Sequence, residues 1–178
     1  LHVGEAFRLF GEIKSAQSTD RDLPGGRRPL DVDTFALQEM VIEWTVPAGE
    51  GASVTMRPGR QMLQFGAQRL VSPLPWGNTL RAWDGVTVDY RGGPLKVTGI
   101  ATAFAPVDKT EFNDTDTDAL LYGLYGTHTY GPQNVLDLYW LGTESSDRTF
   151  NATTGDSSRQ SLGARRKGPL GGDFDGEV

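Results

Sequence analysis

Arg57, Arg60, Arg69 and Arg81 fall within 25 residues of one another, in the stretch "RPGRQMLQFGAQRLVSPLPWGNTLRAWDG", and no lysine stands among them. The whole chain has 13 arginines and 4 lysines. A guanidinium is a planar fork of donors that matches a carboxylate bidentately and stays charged at any relevant pH. Two chemistries use such a set. Arginines that line a pore attract anions. Arginines paired with Asp84, Asp89, Glu39 and Glu43 could instead only fill an interior, or the same acids could position them and tune their field. The residues alone leave both open. Arg165 and, more weakly, Arg8 join the set as further cations on polar strand faces.

Other chemistries find little support. No cysteine is present, so thiolate and disulfide chemistry are excluded. His2 and His128 are far apart and lack metal-ligand spacing. The acids of "NDTDTD" fail the EF-hand pattern, with Ala119 and Tyr125 at its sixth and twelfth positions, and read as a solvated loop. No G-x-S-x-G occurs. The expectation is a protein that is not an enzyme and has no cofactor or metal. A net charge of −6 argues against a nucleic-acid partner. "GGRR" at 25–28 is a basic loop tip that reads as a solvated turn or as a contact for lipopolysaccharide.

The elements that must position these residues alternate with period two and are bounded by turn chemistry. In "FALQEMVIEWTV" (35–46), Ala36, Met40, Ile42, Trp44 and Val46 share one face and Glu39, Glu43 and Thr45 the other. Similar patterns run through 3–13 (with Glu5 out of phase), 86–90, 120–130, 136–142 and 159–165. Short turns at 47–52, 91–94, 131–134 and 168–172 alternate with long polar links at 14–34, 67–82, 107–118 and 143–158. In an up-and-down sheet this places tight turns at one end and long loops at the other, as in an outer-membrane β-barrel. Trp44, Tyr90, Tyr130 and Trp140 lie on apolar faces, the first three beside short turns, as an interfacial girdle requires. A soluble β-barrel binding protein, with polar faces outward, gives the same alternation and remains the rival. No stretch is apolar enough for a transmembrane helix. The first residue is not Met and "GGDFDGEV" reads as the opening of another strand. Residues 1–178 are therefore expected to be part of a single domain of a longer protein.

The opening stretch also resembles the alginate-export family of outer-membrane barrels. The family pattern is an R-x-GRQ strand, a G-x-x-RLVS loop and then W-x-N-x-x-R-x-[FW]-DG-V. It is matched by Arg57, Gly59, Arg60, Gln61, Gly66, Arg69, Leu70, Val71, Ser72, Trp76, Asn78, Arg81, Trp83, Asp84 and Gly85. The resemblance implies an all-β, antiparallel, up-and-down transmembrane barrel of roughly 18 strands, of which eight to nine are visible here. It implies passive export of an anionic uronate polysaccharide such as alginate through an arginine-rich lumen in a Gram-negative outer membrane. Membrane lipid, lipopolysaccharide and periplasmic secretion partners are the expected neighbours. A general anion-selective porin for small solutes is the alternative within the class. Arg57, Arg60, Arg69, Arg81, Arg165 and Arg8 would line or guard the pathway, and Trp76 and Asn78 would shape their loop or fold inward.

Strict alternation from Val54 and Met56 raises a difficulty. It turns Arg57, Gly59 and Gln61 to the lumen and Arg60 to lipid, where an arginine at mid-bilayer costs roughly 2–4 kcal/mol. A bulge at Pro58–Gly59 would reset the phase. Arg57 and Arg60 would then both point inward, with Leu63 and Phe65 outward. Gly123 and Gly126, beside aromatics, are expected to be seats for neighbouring rings.

Overall fold

The computed structural model describes residues 1–4, 6–19, 24–171 and 174–177, and all regular structure in them is β. The strands are β1 (His2–Val3), β2 (Phe7–Ala16), β3 (Asp33–Pro47), β4 (Ala52–Gln61), β5 (Ala82–Gly92), β6 (Leu95–Ala105), β7 (Asp116–Tyr130), β8 (Asn134–Phe150), β9 (Thr153–Gly171) and β10 (Phe174–Glu177). They form one sheet in sequence order, and every neighbouring pair is antiparallel. Eight strands, β2 to β9, are ten residues or longer; β1 and β10 are short. This is the wall of an up-and-down barrel, in the part of a larger cylinder that these residues supply.

Period-two side-chain direction makes the sheet two-faced. Cross-strand pairs set Phe7 against Trp44, Trp44 against Met56, Met56 against Val88, Leu124 against Trp140 and Trp140 against Leu162. These apolar side chains are solvent-exposed in the isolated chain. A band of this kind, bare on one side of every long strand, needs a non-aqueous neighbour. The opposite face carries Arg8, Glu43, Arg57, Asp89, Lys96, Asp137 and Arg165.

Short and long connections alternate as expected through β8. Residues 48–51, 93–94 and 131–133 are tight; 17–32, 62–81 and 106–115 are long. Three expectations are corrected. Residues 143–158 are not a loop: β8 and β9 run on as a hairpin closed by Asn151 and Ala152, both at positive φ (48° and 62°). Positive φ at both central residues matches the right-handed twist of the strands, which is why so polar a stretch can close so tightly. The 3–13 segment is not one strand, because the chain turns between β1 and β2 and Val3 pairs with Phe7. The turn expected at 168–172 is displaced, since β9 continues to Gly171; Gly172 lies outside the described residues.

Two of the long connections pack onto the sheet rather than standing free. Residues 62–81 fold over the polar face, where Leu63 and Val71 join Trp83, Ile100, Leu121 and Leu141 in a buried apolar cluster flanked by Phe65, Phe104 and Tyr139. Each such side chain contributes about 1.5–3 kcal/mol on burial, enough to hold the segment against the wall. The loop is tied to the β2–β3 link by Asn78 Nδ2 donating to the Asp31 carbonyl (2.8 Å) and Thr79 Oγ1 to the Pro29 carbonyl (2.9 Å). Residues 106–115 cross to the start of β3, where Asn113 Nδ2 donates to Asp33 (2.8 Å) and Thr34 donates to the Lys109 carbonyl.

Candidate functional site

Strand register assembles a ladder of charge across five strands of the polar face. Arg8 on β2 lies opposite Glu43 on β3 and donates to it at 3.1 Å. Arg57 on β4 donates from Nε to Glu43 (2.7 Å) and from Nη1 to Asp89 on β5 (2.6 Å). Asp89 also accepts from Thr98 on β6 and has Lys96 and Arg91 at 3.4 and 3.6 Å. It is 1% exposed, so these cations replace water as its solvation. Arg57, by contrast, keeps about a quarter of its side chain open. It borders a cavity of about 330 Å³ between the wall and the inward loop, shared with Arg8, Glu39, Gln61, Phe65 and Lys96.

A second cluster lies three strands on. Asp137 on β8, 2% exposed, accepts from Arg165 Nη1 on β9 (2.6 Å) and Thr127 Oγ1 on β7 (2.8 Å). Beside it Phe65, Tyr125 and Tyr139 stack in series, with centroids 4.9 and 5.6 Å apart. Gly66 sits under Tyr125 and Arg165, where a Cβ would collide with the Tyr125 hydroxyl. Sequence reading placed Asp137 on the polar side but gave it no role; Lys96 and Arg91 were missed. Continuing the alternation past Asp89 reaches Arg91, and the two-residue turn that follows sets Lys96 directly opposite it.

Arg81 lies elsewhere. It lines a cleft of about 510 Å³ at the long-loop end with Arg148, Arg159, Trp83, Phe104 and Glu144. Arg69 borders a smaller pocket next to Arg165 and Tyr139. Asn78 shapes its loop through the bond to the Asp31 carbonyl. Trp76 neither folds inward nor packs: it is 73% exposed. Among the described residues Glu39 pairs with no arginine and accepts the Met62 amide (3.0 Å) instead, at the point where the inward loop leaves β4.

The bulge at Pro58–Gly59 is absent. β4 pairs in continuous register with β3 and with β5 through Gly59. Gly59 takes φ 128°, and a Cβ there would collide with the Met40 carbonyl. The glycine thus permits a close approach of the β3 backbone without shifting the phase of the strand. Leu63 and Phe65 accordingly point to the polar face, into the cluster under the loop, and not outward. Arg60 falls on the apolar face, level with Met40 and Asp84. It is not at mid-band but one residue from the long-loop end of β4. Asp84 takes it bidentately (2.8 and 2.6 Å), Thr115 donates to the same carboxylate, and the Phe112 ring lies 5.2 Å from the guanidinium carbon. Arg60 is 6% exposed. It is a rim clamp between the wall and residues 106–115.

Gly123 and Gly126 are not ring seats. Seats of this kind are Gly92 under Tyr90, and Gly142 under Tyr122 and Gly163 under Tyr139, the last two directly opposite their tyrosines. The described residues hold no cluster of side chains suited to a metal ion.

Comparisons with curated proteins and with solved structures found no match. A comparison with protein families matches alginate export over residues 1–178. With every residue of the chain inside that match, and with the two-faced up-and-down sheet that such a barrel wall requires, the chain belongs to the alginate export family.

Proposed function

We propose that this chain forms part of an outer-membrane channel that passes an anionic uronate polysaccharide outward by diffusion, guided by cations on the polar face of the wall. Family membership supports export at the coarse level. The observation that carries the finer reading is the charge balance of that face. In the regularly paired parts of β2 to β9 it presents seven cations: Arg8, Arg57, Arg91, Lys96, Arg159, Arg165 and Lys167. Against them stand five carboxylates: Glu12, Glu39, Glu43, Asp89 and Asp137. From β2 to β9 the face therefore carries a net +2, in a chain whose total is −6. Glu43, Asp89 and Asp137 hold the guanidinium heads of Arg8, Arg57 and Arg165 in place, and Arg57 borders the cavity. Such a wall offers a sliding carboxylate many weak contacts and no deep trap, which conduction requires. Arg81, at the long-loop mouth, extends the path. Arg60, engaged on the other face, takes no part.

The test is the reversal potential of the intact protein in a planar bilayer under a salt gradient. Anion selectivity is expected, falling in Arg57→Ala and again in Arg57→Ala/Arg81→Ala. A cation-selective wild type, or a selectivity indifferent to both changes, sinks the reading. Added oligouronate should block the current. Anion selectivity without block would leave a general porin for small anions.

A further inference from the structure

The apolar face of β7, β8 and β9 is not uniform. At its tight-turn end, Arg166 lies opposite Leu136, and Leu136 lies opposite His128. Arg166 is fixed there by two bonds, Nε to the Tyr130 hydroxyl (3.3 Å) and Nη2 to the Pro169 carbonyl (3.0 Å). No carboxylate pairs with it among the described residues. His128 stacks on Tyr130 with centroids 6.0 Å apart. One pair further along the strands, Leu138 meets Ala164, and one pair beyond that, Trp140 meets Leu162. Each step advances about 7 Å. Between these side chains and Leu124 lies an open groove of about 560 Å³. Its floor drops at Ala164, while Leu138 and Leu162 stand well exposed on its sides.

We propose that this strip is a binding site for one anionic glycerophospholipid, with the phosphate on Arg166 and His128 and an acyl chain laid in the groove. Charge decides the occupant. An arginine on a lipid-facing strand end with no carboxylate partner among the described residues calls for an anion at headgroup depth, and a groove of apolar side chains begins directly beside it. The polar groups at the other end of the same strip have the wrong sign for a phosphate. There Trp140 Nε1 donates to Gln160, Gln160 donates to the Tyr122 hydroxyl, and that hydroxyl donates to Glu144. A phosphorylated lipid approaching from the long-loop side meets a carboxylate; one approaching from the tight-turn side meets a guanidinium. The site is independent of the cargo and of the polar face.

Native mass spectrometry of the intact protein, released from detergent with defined lipids, tests it. Phosphatidylglycerol, lipid A and a neutral glucosyl-diacylglycerol are offered in turn. Phosphatidylglycerol should be retained one to one, at least five-fold above the neutral glycolipid. Arg166→Gln should lower that retention at least five-fold and Arg166→Lys should restore most of it, which separates loss of the site from loss of the fold. Ala164→Leu, which fills the groove, should lower it as well. Lys167→Gln, next in sequence but on the opposite face, should leave it unchanged. Wild-type retention in Arg166→Gln, equal retention of the neutral glycolipid, or preference for lipid A would each overturn the proposal.

Discussion

Arg57 joins two carboxylates on different strands, and one of them, Asp89, is almost wholly shielded from water. Removing one partner of a buried pair leaves an uncompensated charge, which costs about 3–5 kcal/mol. Arg57→Ala should fall at the lower end, about 3 kcal/mol, because Lys96, Arg91 and Thr98 still reach Asp89. Urea unfolding followed by heat-modifiable gel mobility would measure it; a loss below about 1 kcal/mol would show that Arg57 is a surface pair only. Asp108, in the loop outside the strands, gives a pH dependence. The amide of Thr110, with that of Glu111, donates to its carboxylate and holds its pKa below the ordinary value. A depressed pKa means that the turn is stabilised above the ordinary carboxylate range and loses that contribution as pH falls through the folded value. Amide exchange at Thr110 and Glu111, corrected for its intrinsic pH dependence, should lose protection only in acid and stay level from pH 5 to 7. Much of this chemistry was legible in the sequence: residue type and alternation put Arg8, Glu43, Arg57 and Asp89 on one face. The role of Asp137 was not, because its partners come from β7 and β9 and depend on register.

At the scale of the element, glycines show how far pattern carries. Gly123 takes φ 142°, and a Cβ there would collide with the Trp140 carbonyl; Gly126 meets only the Leu138 carbonyl at 3.6 Å. Gly123→Ala should therefore destabilise the wall by at least about 1–3 kcal/mol through backbone strain alone, while Gly126→Ala should be nearly neutral. Comparing the folded fractions of the two variants by gel mobility checks this, and equal behaviour would refute it. Both glycines look alike in sequence, since what separates them is the carbonyl of the next strand. Composition misled at 143–158 for a related reason. Serine, threonine and aspartate suggest a loop, yet threonine suits a strand and a two-residue turn suffices when its residues accept positive φ. Leu63 and Phe65 were assigned outward because apolar side chains in a barrel usually meet lipid. They turn inward because residues 62–81 fold back over the polar face and need an apolar anchor there.

At the scale of the whole molecule, that inward loop covers part of the polar face and would narrow the proposed channel. Replacing residues 67–78 by a short glycine-serine link should raise single-channel conductance and weaken selectivity together, as measured in planar bilayers. An unchanged conductance would mean that the loop lies clear of the path. The alternation of tight and long connections already implies the up-and-down order, whereas the packing of the long connections, one onto each face, has no sequence signal.

The β8–β9 hairpin outruns its neighbours on the side where the other connections fold down. Beyond Ser145 its cross-strand pairs are made between its own two strands, so its tip does not lean on the rest of the wall to keep its shape. It is a mast. A peptide epitope spliced between Asn151 and Ala152 would ride at its top, leaving every cross-strand pair below it in place. Antibody bound there on living cells would report which end of the cylinder faces outward.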